Sequence, residues 1–181
     1  MLNIRIICIG KLKEQLYTDA AKEYTKRLSG YCKPEIVELP EYRLPARGAA
    51  GRPGSGISCE TSKDGAVPGH SAQVDIALDK ERAAIESCIP AGAAIIVLCI
   101  EGRELDSPGL SKLLGGYAVR GVSRLCFIIG SSFGLHEGIK NRADIRLSLS
   151  RMTFPHNLAR VMLLEQLYRA FQIAEGGKYH K

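Results

Sequence analysis

Three stretches of this chain are apolar almost without interruption: Asn3 to Gly10 (NIRIICIG), Ala93 to Ile100 (AAIIVLCI) and Arg124 to Ile129 (RLCFII). A strand with one wet face alternates apolar and polar residues, whereas a strand covered on both faces has no need to. The runs are short and rich in β-branched residues, which favours strands over helices. A sheet buried on both sides must be covered by something, and the segments between the runs supply the cover.

Leu12 to Ser29 carries Leu16, Ala20, Tyr24 and Leu28 at i, i+4 spacing, the stripe of an amphipathic helix, and Gly30 is its stop. Glu35 to Leu39 is a short second strand. Val74 to Cys88 has a helical pattern, with Ile76, Ala77, Ala84 and Ile85 available for a core face. Ser107-Pro108 reads as an N-cap followed by proline at the first helical position, leading a helix to about Arg120. A short helix over His136 to Asn141, a strand over Asp144 to Ser150 and a long helix over Asn157 to Glu175 complete the order. Strand and helix alternate throughout, so the expected fold is α/β, a mostly parallel sheet flanked by helices. Residues 1–181 are expected to form one domain. Arg43 to Gln73 departs from the pattern: six glycines and three prolines with little periodic hydrophobicity read as a long loop or insertion.

Composition narrows the class. Of 181 residues, 45% are hydrophobic and 24% charged, which excludes collagen, a coiled coil and a wholly disordered chain. No apolar run approaches the roughly 20 residues of a membrane span, and no secretory signal is visible after Met1, so no membrane association is expected. Twenty-five basic residues against 19 acidic give a net charge of +6, which favours an anionic partner. Six cysteines are scattered with no CxxC, and Cys8, Cys99 and Cys126 sit inside apolar runs. Reduced thiols in a cytoplasmic protein are expected, with neither a disulfide framework nor a metal site.

Ligands of open α/β sheets bind beyond the carboxyl ends of the strands. Three such ends are unusual: Leu98 to Gly102 (LCIEG), Ile129 to Leu135 (IGSSFGL) and Leu147 to His156 (LSLSRMTFPH). Glycine admits close approach of a ligand to the backbone. Neither GxxxxGK[ST] nor GxGxxG occurs, which disfavours a P-loop hydrolase and a dinucleotide-dependent oxidoreductase. The terminal helix is apolar on most sides, with Leu158, Val161, Leu164, Tyr168 and Phe171 in one stripe, and points to a subunit interface. Glu165 and Arg169 stand at i, i+4, the spacing of a helix-face ion pair. The last residues, Gly176-Gly177-Lys178-Tyr179-His180-Lys181, offer cations, a phenol and an imidazole that could contact an anionic substrate and move a proton.

Taken together, IRIICIGKLKE, VLCIEG, FIIGSSFGL and the run LSLSRMTFPHNLARVMLLEQLYRAFQIAEGGKYHK resemble the RlmH family of ribosomal large-subunit pseudouridine methyltransferases, in the SPOUT class of knotted methyltransferases. The resemblance covers most of the chain outside Arg43 to Gln73. It implies a homodimer with a C-terminal deep trefoil knot. It implies S-adenosylmethionine as cofactor, released as S-adenosylhomocysteine, in contact with Leu98, Gly130, Leu149, Ser150, Arg151, Met152, Thr153 and Phe154. It further implies methylation of N3 of a pseudouridine in helix 69 of 23S rRNA, with the assembled ribosome as substrate. Two features depart from the family pattern: the enlarged stretch at 43–73, and Ser131 where a second glycine is usual. A serine holds the same turn if its φ is negative.

The resemblance and the residue chemistry together name His180, Arg169 and Tyr179 as catalytic candidates. An imide N–H is a poor nucleophile until its proton leaves. His180 is the side chain best matched to accept it, with water as the other acceptor. Arg169 would stabilise the resulting anion, and Tyr179 would stack on or hydrogen-bond to the base. His156 is either a helix-start residue or part of the site; His136 and His70 read as surface residues. The competing class is a non-catalytic ribosome- or RNA-binding α/β module, which would have no need of both the glycine loops and the terminal YHK.

Overall fold

The computed structural model describes residues 1–42 and 72–176. The elements run β1 (Leu2–Ile9), α1 (Gln15–Leu28), β2 (Cys32–Leu39), α2 (Ala72–Cys88), β3 (Ala94–Glu104), α3 (Ser107–Val119), β4 (Arg124–Ile129), α4 (Glu137–Arg142), β5 (Ile145–Ser148) and α5 (His156–Ala174). The five strands form one sheet in the order β2-β1-β4-β3-β5. Every pairing is parallel; Ile6, for example, stands between Ile36 and Phe127.

Alternating side chains of the central strands enter two cores. On one face Ile4, Ile6, Ile96, Leu125 and Phe127 pack against α1, α3 and α5. On the other, Ile7, Ile9, Val97, Cys126 and Ile128 pack against Ile85 of α2 and Ile139 of α4. The uninterrupted apolar runs are therefore those of strands wet on neither face. Each such side chain taken fully out of water contributes about 1.5–3 kcal/mol, so these strands fix the register of everything attached to their ends.

Several expectations shift in detail. Leu16 is exposed; of the predicted stripe, Leu28 is buried and Tyr24 packs against the core, with Ala21 rather than Ala20 as the buried alanine. Ile76 is likewise exposed, and α2 buries Ala77, Leu78, Glu81 and Ile85. The cap of α3 is Asp106, not Ser107: its carboxylate accepts from the Gly109 amide at 2.7 Å. The Ser107 hydroxyl instead donates to Gln166 Oε1 of α5 at 2.8 Å. Cys32, rather than Cys99, joins Cys8 and Cys126 in the core; Cys99 is half-buried. Apart from Ala72 and Gln73, which open α2, the stretch at 43–73 lies outside the described residues.

Helix α5 lies between α1 and α3. Leu163, Leu164, Leu167 and Ala170 are buried in the core, and every residue from His156 to Ile173 is at least half-buried within one chain. Tyr31 stacks on Phe171 with ring centroids 5.7 Å apart. Much of the apolar circumference of α5 is thus covered by the chain's own helices.

Near its start α5 is pinned by a buried cation. Arg160 is 1% exposed. Its Nη1 donates to Glu38 Oε1 of β2 at 2.5 Å and its Nη2 to the Gly10 carbonyl at 2.8 Å. Glu38 also accepts from the Leu12 amide at 3.1 Å. One guanidinium therefore ties the first turns of α5 to the carboxyl ends of β1 and β2.

Candidate functional site

Strand β3 does not stop at the LCIEG run. Leu98 pairs with Leu147, and after a register shift Arg103 pairs with the same residue. The four residues between them, Cys99 to Gly102, are looped out of the ladder. Gly102 makes this possible: a Cβ there would lie 2.6 Å from the Leu147 carbonyl carbon. The bulge aims Cys99, Ile100 and Glu101 at the space beyond the sheet.

Strand β4 ends in a closed turn. The Gly134 amide donates to the Ser131 carbonyl at 3.0 Å. A Cβ on Gly130 would stand 2.2 Å from the Gly134 carbonyl oxygen, so only glycine fits. No described residue other than glycine has a positive φ, so Ser131 meets the condition for replacing a glycine in this turn. After β5, the Ser148 hydroxyl donates to the Ser150 carbonyl at 2.9 Å, and the Met152 amide donates to the Ser150 hydroxyl at 3.0 Å. The backbone thereby bends around toward Pro155 and the start of α5.

These three strand ends, with the start of α4 and of α5, enclose a cavity of about 1290 Å³. Leu98, Gly130, Leu149, Ser150, Met152, Thr153 and Phe154 all line it. Arg151 does not: its side chain is 94% exposed, with its Nε 3.9 Å from Glu104. The volume exceeds the 300–1,000 Å³ usual for a site holding one small ligand, leaving space for a second reactant. A smaller hollow of about 590 Å³ beside Tyr117 and Arg120 lies at the other end of β3 and β5, away from all three loops.

Of the remaining wall, Glu101 and His156 lie within the LCIEG and LSLSRMTFPH motifs, whereas His136 and Lys140 lie outside every motif the sequence marks. His136 is no simple surface residue: its Nδ1 accepts from the Gly138 amide at 2.9 Å, capping α4, and it lines the cavity. Lys140 reaches Glu101 at 2.6 Å and Glu137 at 2.9 Å. The hydrogen bond from Lys140 holds the Glu101 carboxyl below the usual glutamate value, outweighing the opposite effect of burial. His156 lines the cavity as the first residue of α5, so its two roles, helix start and site wall, coincide.

The catalytic candidates are placed differently. Tyr179 and His180 lie outside the described residues. Arg169 pairs with Glu165, Nη2 to Oε1 at 2.5 Å, and is not part of the cavity wall. It follows Ala159, a wall residue, by ten positions on α5, about 15 Å along the helix axis.

Burial pushes the Cys8 and Cys126 thiols up to about 12 and the Cys32 thiol to about 11, which keeps them protonated and unreactive. Among the described residues no group of three His, Cys, Asp or Glu side chains could hold a metal ion. No described helix is long and apolar enough to cross a membrane.

The family model described as "Predicted SPOUT methyltransferase" matches residues 2–180. A protein named ribosomal RNA large subunit methyltransferase H from Clostridioides difficile is 42% identical over 180 residues, covering 99% of this chain and 100% of the relative. Proteins of the same name from Clostridium botulinum and Leuconostoc mesenteroides are 43% and 38% identical, each again across 99% of this chain and all of the relative. A solved structure of a probable methylase family protein from Haemophilus influenzae superposes with a TM-score of 0.51 at 11% identity, over 99% of this chain and 71% of that one, a likeness of fold.

Proposed function

The chain belongs to the SPOUT methyltransferase family, and from that premise we propose that it methylates N3 of a pseudouridine in helix 69 of 23S rRNA on the assembled ribosome, in the cytoplasm, using S-adenosylmethionine. The relatives' shared name supplies the ribosomal substrate class. The observation that carries the donor assignment is the convergence of Leu98, Gly130 and the Leu149–Phe154 loop on one cavity. Its walls combine apolar side chains such as Leu98, Leu135 and Phe154 with exposed backbone turns, a donor set suited to an adenine ring and a polar amino-acid tail. When bound, S-adenosylmethionine supplies an electrophilic methyl group on a sulfonium and leaves as S-adenosylhomocysteine. In this proposal the C-terminal segment that carries the Leu149–Phe154 loop is threaded as a deep trefoil knot.

The chain's own residues must make the acceptor nitrogen reactive and hold it in line. His180 or a water it orders takes the imide proton. Arg169 lowers the energy of the resulting anion by donating to a flanking carbonyl oxygen, and its permanent charge suits it to that task. Tyr179 packs on the base, and placement against the donor contributes much of the remaining acceleration. Replacing His180 with alanine is expected to lower turnover about 100-fold or more, while calorimetry finds the affinity for S-adenosylhomocysteine unchanged. Normal turnover in His180→Ala would remove it from the mechanism.

Arg169 sits about 15 Å along α5 from the cavity wall, so we place it, with Tyr179 and His180, at the cavity of a second copy in a homodimer. A mixed dimer tests this. One chain carries Gly130→Val and keeps its tail; the other carries His180→Ala and keeps its cavity. If sites are built across the dimer, each mixed dimer regains one of its two sites, so a freely re-paired equal mixture recovers about a quarter of native activity, whereas each variant alone is at least about 100-fold down. If cavity and tail act within one chain, the mixture stays inactive.

A further inference from the structure

The middle position of the buried stripe on α2 is a carboxylate. Ala77, Glu81 and Ile85 recur every fourth residue and all three are buried, with Glu81 only 4% exposed. An ionisable group in such a place costs desolvation unless its oxygens are satisfied. Both are: the Tyr42 amide donates to Oε1 at 3.1 Å, and the Ser131 hydroxyl donates to Oε2 at 2.9 Å. Burial raises the pKa of the Glu81 carboxyl, and these two hydrogen bonds act against that rise.

Ser131 is the second residue of the glycine turn that ends β4, and its hydroxyl also accepts from the Phe133 amide at 3.3 Å. A continuous set of hydrogen bonds therefore runs from the backbone inside the turn, through Ser131, to Glu81 on α2 and on to the exit of β2 at Tyr42. The neighbouring Ser132 is held from the exposed side, where its hydroxyl donates to Glu41 Oε1 at 2.8 Å. The link to Glu81 depends on the Ser131 hydroxyl, which a glycine in its place could not supply.

We propose that Glu81 is a positioning residue: acting through Ser131, it fixes the Gly130–Gly134 turn in the shape that receives the methyl donor. The proposal rests on the reading of the cavity as the donor site. Glu81 touches neither reactant, so its effect falls on donor affinity more than on the transfer step. Because it acts through one serine, losing both residues costs no more than losing the more damaging one.

The test is a double-mutant cycle on the full-length protein, with S-adenosylhomocysteine binding read by calorimetry. Glu81→Ala and Ser131→Gly should each weaken binding about tenfold, and the double variant should be no weaker than the worse of the two. Glu81→Gln keeps one acceptor and should fall between wild type and Glu81→Ala. With donor saturating, kcat should change less than about threefold. Hydrogen exchange of the Phe133 and Gly134 amides in donor-free protein should quicken in both single variants. Native affinity in a folded Glu81→Ala protein, or losses that simply add in the double variant, would overturn the proposal. So would unchanged exchange at Phe133 and Gly134, whichever ligand the cavity takes. Wild-type protein that fails to bind S-adenosylhomocysteine overturns the reading of the cavity instead, and the exchange data then judge the turn by themselves.

Discussion

Gly130→Val is expected to abolish measurable binding of S-adenosylhomocysteine while leaving the sheet intact. A Cβ at that position would stand 2.2 Å from the Gly134 carbonyl oxygen, well inside contact distance, and 2.9 Å from Leu135 Cγ. The turn cannot relax inward, because the Gly134 amide is already bonded to the Ser131 carbonyl and the Ser131 hydroxyl to Glu81. It must open, and the wall of the cavity opens with it. The core strand beneath, Leu125 to Ile129, is held by β1 and β3 on either side, so circular dichroism should report native secondary structure. Affinity should fall at least about 100-fold, equivalent to roughly 3 kcal/mol. Retained affinity would show that the turn is not part of the donor site.

Arg160→Ala has the second large effect, on stability. The substitution leaves the Gly10 carbonyl without its donor, removes the partner of Glu38 and empties the volume of a fully buried side chain. Glu38 is left one-third exposed and still holds the Leu12 amide, so the loss falls below that of a fully buried pair, at about 2–4 kcal/mol. For a chain of this length that is a fall in Tm of roughly 4–16 °C by differential scanning calorimetry. Arg160→Met keeps most of the volume without the charge and should lose less. If Arg160→Ala melts within about 2 °C of wild type, the guanidinium does not anchor α5. The same anchor bears on the site, because His156 and Ala159 on those first turns line the cavity.

How far the sequence discloses this arrangement depends on the kind of signal. The central strands were legible because a run such as RLCFII, buried on both faces, can hardly be anything else. The fold class followed from their alternation with helices. Gly130 and, Arg151 apart, Leu149–Phe154 fall within motifs that carry the resemblance, and these residues line the cavity proposed for the donor. Helix faces were less legible. Leu16 and Ile76 look like core residues and are exposed, while Ala21 and Glu81 are buried, because which positions of a helix are covered is set by tertiary packing that no single helix encodes.

The bulge at Cys99–Gly102 was invisible for a similar reason. It is a relation between β3 and β5, two strands that meet only in the sheet. Arg151 sits between two wall residues in sequence, yet its side chain leaves the cavity, since adjacent residues in a turn need not share a face. Glu81, in the charged run Asp79-Lys80-Glu81-Arg82, reads as part of a solvated face and gives no hint of its partner fifty residues away on the glycine turn.

The central claim is that the cavity beyond β3, β4 and β5 is where the methyl donor sits. A crystal of the full-length protein soaked with S-adenosylhomocysteine tests it most directly. The account predicts the ligand's density between the Gly130–Gly134 turn and the Leu149–Phe154 loop, with Leu98 against it and the Arg151 side chain outside. Density at the smaller hollow beside Tyr117 and Arg120, or anywhere else away from that turn, would contradict it.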